Sequence, residues 1–225
     1  MPIYLTGGGE QQLFRSLDKD FLEQLPKDSR LLLVPLANDD EDFEEVLEIA
    51  KDNFEGKKVS EIVLVDDPDA FSERDLEDFD AIYIEGGNTF RLIKAIRKSL
   101  FFGFLKNYVE SGKTLYADSA GAIVLGQTVR TAFFGDEPDD DLENLQDFRG
   151  LGILEDFNIH CHYEPTDSSV IQDLVYETGI PVWALSESTG IKIDKGEVSV
   201  FGREPLEIFG FSEKVSYFPG QTFSM

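Results

Sequence analysis

The sequence predicts an α/β fold in which helices sandwich a mostly parallel sheet. Three features carry this expectation. Short apolar runs rich in Val, Ile and Leu recur along the chain at residues 3–6, 31–35, 62–65, 81–84, 114–117 and 182–185. Such unbroken runs suit strands covered on both faces. Longer amphipathic stretches lie between them, and strands alternating with helices build parallel sheets. The last fifth changes character, to short alternating segments separated by turn residues.

The helices follow from periodicity. In FEEVLEIAKDNF, Phe43, Leu47, Ala50 and Phe54 fall on one stripe. In TFRLIKAIRKSL, Leu92, Ile93, Ile96 and Leu100 do the same. In SSVIQDLVYETG, Val170, Leu174 and Val175 share a face, and Gly179 is placed to stop the helix. TGIKID, EVSVFG and PLEIFGF read as antiparallel strands at an edge of the sheet. The acidic stretch 134–145 carries a proline and reads as a mobile surface loop. No repeat or linker interrupts residues 1–225, which are read as one domain.

Composition narrows the function. The chain of 225 residues holds 45 Asp and Glu against 20 Lys and Arg, a net charge of −25. That balance repels nucleic acid and anionic membrane surfaces, which need basic patches. It fits a protein kept soluble by charge, or one that prefers cationic partners. The start, MPIYLTGGG, lacks the basic and long apolar regions of a signal peptide. No stretch approaches the apolar length of a membrane span. A single cysteine, Cys161, leaves no internal disulfide. The expectation is a soluble cytoplasmic protein.

The stretch YADSAGAIV, residues 116–124, runs from a strand into small residues and then an apolar helix. A nucleophile elbow needs a serine on a sharp strand-to-helix turn, small neighbours, and a helix N-terminus facing the reaction. Ala117, Ala120, Gly121 and Ala122 surround Ser119 accordingly. The spacing is G-x-S-x-G with Ala117 in the first glycine position. Asp118, whose carboxylate would oppose an oxyanion, is expected to point away. An N-cap serine on a packed helix fits the same residues.

A second glycine turn, IEGGNTF at 84–90, again joins a strand end to a helix. Strand ends of a parallel sheet open on one crevice. The Gly86–Gly87 turn could therefore offer a backbone donor beside Ser119 and, with the N–H of Ala120, form an oxyanion hole. The plainer alternative is a turn capped by Asn88 or Thr89. A base is required too, and only His160 and His162 exist. On a strand they share a face, and either could reach Ser119.

SAGAIVLG, GGNTFRLIKAI, the GLGIL before the histidines, and the pair His162–Tyr163 resemble the serine peptidases that include aspartyl dipeptidase and cyanophycinase. The resemblance covers nearly the whole chain. It implies a three-layer α/β/α sandwich of the class I glutamine amidotransferase-like type. It implies Ser119 as nucleophile, His162 as base, Gly87 and Ala120 as oxyanion donors, and an orienting acid in the loop after the nucleophile helix, at Asp136 or its neighbours Glu137 and Asp139 to Asp141. It implies no cofactor and no metal, with a small peptide as substrate; a homodimer is compatible with it.

The sequence departs from that family where the acidic side chain of an aspartyl peptide would be held. No Lys or Arg occurs from Gly150 to Ile191. Asp-specific cleavage is therefore not expected. A peptide's amino group would suit an acidic site, with Asn88, Glu164 or Glu187 available for substrate contacts. Two other readings use the same residues. His160, His162 and Glu164 alternate along the chain and offer a two-histidine, one-carboxylate metal site. A non-catalytic binding or regulatory protein could also retain the fold. Cys161 lies off the elbow, and TGGGEQQ lacks the G-x-G-x-x-G spacing of a dinucleotide loop.

Overall fold

A computed structural model describes residues 2–38, 43–54 and 56–225. Five parallel strands form one side of its larger sheet: β1 (Pro2–Thr6), β2 (Ser29–Val34), β3 (Val59–Leu64), β4 (Ala81–Ile84) and β5 (Thr114–Asp118). Beyond β1 the sheet continues antiparallel through β8 (Thr189–Asp194), β9 (Glu197–Gly202) and β12 (Thr222–Ser224). The strand order among the described residues is β12-β9-β8-β1-β5-β4-β2-β3.

Period-two alternation divides each central strand between two cores. Leu5, Leu32, Val34, Ile82, Ile84, Leu115 and Ala117 face one side. There they meet α4 (Thr89–Lys98), α5 (Phe101–Glu110) and α6 (Ala120–Val124), through Phe90, Ile93, Leu105 and Ala122. Tyr4, Leu31, Leu33, Tyr83 and Tyr116 face the other. There they meet α1 (Arg15–Gln24) and α2 (Phe43–Phe54), through Leu17, Phe21, Ala50 and Phe54. This is the three-layer sandwich expected from the sequence. The second face is aromatic. Phe21 meets Tyr116 edge to face at 5.2 Å and Tyr4 at 5.4 Å between ring centroids. Each such pair contributes about 0.5–1.5 kcal/mol beyond its buried area.

Two expectations change. Residues 182–185 and PLEIFGF do not join the large sheet. β7 (Val182–Ala184) and β10 (Leu206–Phe209) lie in a second sheet, ordered β11-β10-β7-β6, with β6 (Asn158–His160) and β11 (Lys214–Tyr217). Helix α7 (Ser168–Thr178) packs Ile171, Leu174 and Val175 onto this sheet and ends at the left-handed Gly179. The small sheet matters because it brings the histidine segment to the C-terminal end of β1: His162 N–H donates to Gly7 O at 3.0 Å.

The acidic stretch 134–145 is irregular, as read, but it is moored. Asp139 Oδ2 accepts from Thr89 N–H at 2.9 Å, at the start of α4. Lys94 pairs with Glu143, and just beyond the stretch Arg97 pairs with Asp147. Its carboxylates find the N-terminus and the basic flank of α4, a placement that helix dipole and charge both favour.

Candidate active site

Ser119 lies between the end of β5 and the start of α6, in the middle of the sheet, with β1 and β4 on either side. Its backbone adopts φ 44°, ψ −111°, and its hydroxyl makes no capping bond to α6. A positive φ on a non-glycine residue costs of order 1–3 kcal/mol and persists only where the surroundings enforce it. Enforcement comes from packing. A Cβ on Gly121 would stand 2.4 Å from Ile84 O, so only glycine lets α6 approach β4 this closely. The serine that could have been a cap therefore stands on a strained turn.

The hydroxyl has a partner. Ser119 Oγ is 2.8 Å from His162 Nε2. The other ring nitrogen, Nδ1, is 3.2 Å from Glu187 Oε1. In the tautomer with Nδ1 protonated and donating to Glu187, Nε2 is free to accept a hydrogen bond from the Ser119 hydroxyl. His162 is itself held with φ 53°. Its main chain is fixed on both sides, by Gly7 O and by the bond from Tyr163 N–H to Leu185 O. The TGGG turn after β1 makes room for the ring. A Cβ on Gly8 would stand 2.4 Å from both Cε1 and Nε2 of His162. Gly8→Ala should lower kcat at least ~10-fold, because an angstrom of misplacement at a catalytic group costs up to about a hundredfold. It should also cost of order 1–3 kcal/mol of stability, because Gly8 has φ 94°. Steady-state kinetics beside thermal melts would check this.

The Gly87 and Ala120 amides make no hydrogen bond to any described residue, and Gly87 lines the same cavity as Ser119. The cavity measures about 690 Å³ and also exposes Asp136, Glu164 and Glu187. Seven carboxylates line it and, among the described residues, no Lys or Arg does.

Several sequence expectations need correction at this point. Asp136 reaches the cavity, but no hydrogen bond joins it to His162; the acid beside the imidazole is Glu187. Asn88 was expected to touch substrate. Instead its amide is used within the scaffold: Oδ1 caps α4 by accepting from Arg91 N–H, and Nδ2 donates to Asp140 O. His160 and His162 do not share a strand face, because β6 ends at His160. His160 turns inward, 2% exposed, with Nε2 3.2 Å from Asp167 Oδ2 and Nδ1 3.2 Å from Thr131 O. Among the described residues no group of His, Cys, Asp and Glu is placed to hold a metal ion. Cys161 is buried behind the serine, and burial pushes its thiol well up, away from the reactive thiolate.

Asp118 does not leave the cavity as expected. It lines the floor while accepting hydrogen bonds from the Thr6 hydroxyl and the Gly8 N–H. Beside it, at the end of the neighbouring strand, is Glu85. Loss of hydration first, then repulsion from Asp118, push the Glu85 carboxyl up to about 7, against a hydrogen bond from Tyr83. Loss of hydration likewise pushes Asp118 up to about 6, against the hydrogen bond from Thr6. Because the folded protein holds the Glu85 proton more tightly than the unfolded chain does, Glu85's contribution to stability is complete below the ordinary carboxyl range. It is lost as pH rises through about 7. Glu85→Gln imitates the protonated form. It should stabilise the protein at pH 8 by about 2 kcal/mol, or roughly 4–8 °C in Tm, with the difference closing toward pH 5. Melting curves of both proteins across that range would test it.

The arrangement has relatives. The family model for peptidase family S51 matches residues 3–201. A protein named Peptidase E from Nostoc sp. is 28% identical over 229 residues, covering 95% of this chain and 90% of the relative. Peptidase E of Streptomyces coelicolor is 27% identical over 57% of this chain and 54% of its own. A crystal structure of a peptidase from an acI-B1 Actinobacterium superposes with a TM-score of 0.75 at 18% identity, covering 100% of this chain and 96% of that one, which is a likeness of fold. A match that runs from β1 into β9 spans every strand end that builds the cavity. The chain therefore belongs to peptidase family S51 and is a serine-type peptidase.

Proposed function

We propose that this protein hydrolyses dipeptides or short peptides with Ser119 as nucleophile, His162 as general base and acid, and Glu187 as the group that orients His162. The observation that carries the reading is the 2.8 Å approach of Ser119 Oγ to His162 Nε2 at a strained strand-to-helix turn. Ser119 Oγ attacks the carbonyl carbon while its proton passes to Nε2. The oxyanion is met by the Gly87 and Ala120 N–H groups, which have no other acceptor among the described residues. Nε2 then gives its proton to the leaving amine, and the peptide C–N bond breaks. Water deprotonated by His162 releases the acyl group and restores Ser119.

The acyl side chain in this reading is not acidic. A carboxylate would enter a cavity lined by seven others with no Lys or Arg among the described residues to receive it. Glu187 and not Asp136 has the orienting role in this reading, and Glu164 is a wall residue available to substrate. The test is direct. Purified protein is offered a dipeptide panel and a fluorophosphonate. Hydrolysis together with phosphonylation located at Ser119 by mass spectrometry supports the reading; phosphonylation elsewhere, with no peptide cleaved, removes it.

A further inference from the structure

The reaction just described uses neither Glu85 nor Asp118, yet both sit in the floor of its cavity. Their placement follows from strand register. Ile84 of β4 pairs with Ala117 of β5, so the next residues, Glu85 and Asp118, are neighbours across adjacent strand ends. Each is followed at once by a part of the machinery: Gly86–Gly87 after Glu85, and Ser119 after Asp118. Asp118 Oδ2 lies 3.1 Å from where a Gly86 Cβ would be, and Ser119 Cβ lies 3.3 Å from the same point. The carboxylates and the nucleophile therefore meet at one spot.

Two neighbouring carboxylates oppose each other's ionisation, so such a pair either keeps a proton, as Glu85 does up to about 7, or ionises fully against a counter-ion. Among the described residues neither has a Lys or Arg partner. Asp118 is served by one hydroxyl and one N–H, and Glu85 by the Tyr83 hydroxyl. These donors orient the carboxylates without neutralising them. Tyr83 and Tyr116 belong to the buried cluster on one face of the sheet. The basic group that acts on Asp118 is His162, the general base of the proposed reaction, so a further cation able to join the pair enters through the cavity.

We propose that Glu85 and Asp118 form the subsite for a cationic group on the acyl-side residue of the substrate, which makes the enzyme selective for peptides carrying that cation beside the scissile bond. The acyl side is indicated by position: the pair belongs to β4 and β5, next to the nucleophile and the Gly87 donor, whereas the leaving amine must meet His162. The cation is either the free α-ammonium of a dipeptide or a Lys or Arg side chain. Both present N–H donors to a carboxylate pair, and Arg does so in a fixed fork. This inference rests on the proposed hydrolytic reading for its orientation, but its test does not require turnover.

The Ser119→Ala protein is titrated calorimetrically with Arg-Ala, Ala-Ala, N-acetyl-Arg-Ala and N-acetyl-Ala-Ala. Arg-Ala should bind at least tenfold more tightly than N-acetyl-Ala-Ala, which carries neither cation; a smaller ratio overturns the proposal. The two sources separate by acetylation. If the α-ammonium is the ligand, Ala-Ala keeps the advantage and N-acetyl-Arg-Ala loses it; if the side chain is, the reverse holds. In the Ser119→Ala background, Glu85→Gln and Asp118→Asn should each reduce the Arg-Ala advantage at least threefold. An advantage that survives both substitutions intact assigns the selectivity to other carboxylates and overturns the proposal. Failure of the peptidase reading would appear separately, as a wild-type protein that binds these peptides but cleaves none.

Discussion

Ser119→Ala should reduce kcat by about four orders of magnitude or more, to the residual level that binding and oxyanion contacts sustain without a nucleophile. The expectation comes from how completely the local structure is devoted to this hydroxyl. The turn holds Ser119 at φ 44°, and the sheet fixes its amide through a bond to Thr6 O at 3.1 Å. The Cβ sits among glycines at 86 and 8. Removing Oγ leaves that scaffold untouched, so the variant should melt no lower than the wild type. Relief at the strained position is smaller with alanine than with glycine, since alanine still carries a Cβ. His162→Ala should cost a comparable factor, and the double variant little more than either single one, because nucleophile and base act as a unit. Single-turnover assays would check the three values. An Ser119→Ala protein within tenfold of wild type would exclude this hydroxyl as the nucleophile.

The elements most legible in the sequence were those whose burial is periodic on its own. Residues 81–84 read as a strand, and 43–54 as a helix, because every inward position is apolar and the boundaries coincide with turn residues. Helix α1 was not read, since RSLDKDFLEQ spends only Leu17 and Phe21 on the core. Helix α5 follows α4 with one intervening pair, Ser99 and Leu100, so two helices resemble one long apolar stretch. The second sheet was invisible for a different reason. Residues 182–184 are buried in either sheet, and nothing in their pattern says which neighbour they pair with.

The site divides along the same line. Ser119, Gly87 and Ala120 belong to local strand–turn–helix motifs, where spacing carries the geometry. His162 depends on the end of β6 and on a left-handed backbone, so the alternation that joined it to His160 failed after one residue. Glu187 meets His162 across 25 residues of sequence, from the SES turn after β7. A position just past a strand end was the one available signal, since strand ends open on the ligand crevice. Asp118 looked out of place beside a nucleophile for a reason the structure explains. It anchors the TGGG turn through Thr6 and Gly8, the same turn that leaves room for His162.

Glu187→Gln should lower kcat by about a hundredfold, while Asp136→Asn should change it less than about threefold, a contrast that identifies the orienting acid. Glu187 is 3.2 Å from Nδ1 and its side chain is 68% exposed. An ion pair so exposed contributes little to stability, about 1 kcal/mol at most, and both variants should fold as the wild type does. Its effect is on the ring. The carboxylate accepts from Nδ1–H and so keeps the lone pair on Nε2, toward Ser119, and it steadies the imidazolium as the proton arrives. Glutamine can present an amide N–H to Nδ1 instead, which favours the opposite tautomer and leaves Nε2 without a lone pair for the serine. Exposure makes the loss smaller than for a buried acid, because water and the other carboxylates of the cavity take up part of the role. The Glu187→Asp variant separates orientation from charge: it retains the charge but withdraws it by one methylene. Its kcat should fall between wild type and Glu187→Gln, with KM nearly constant, since the acid acts on the histidine and not on the substrate. A Glu187→Gln enzyme with normal kcat beside an impaired Asp136→Asn enzyme would return the role to the loop after α6.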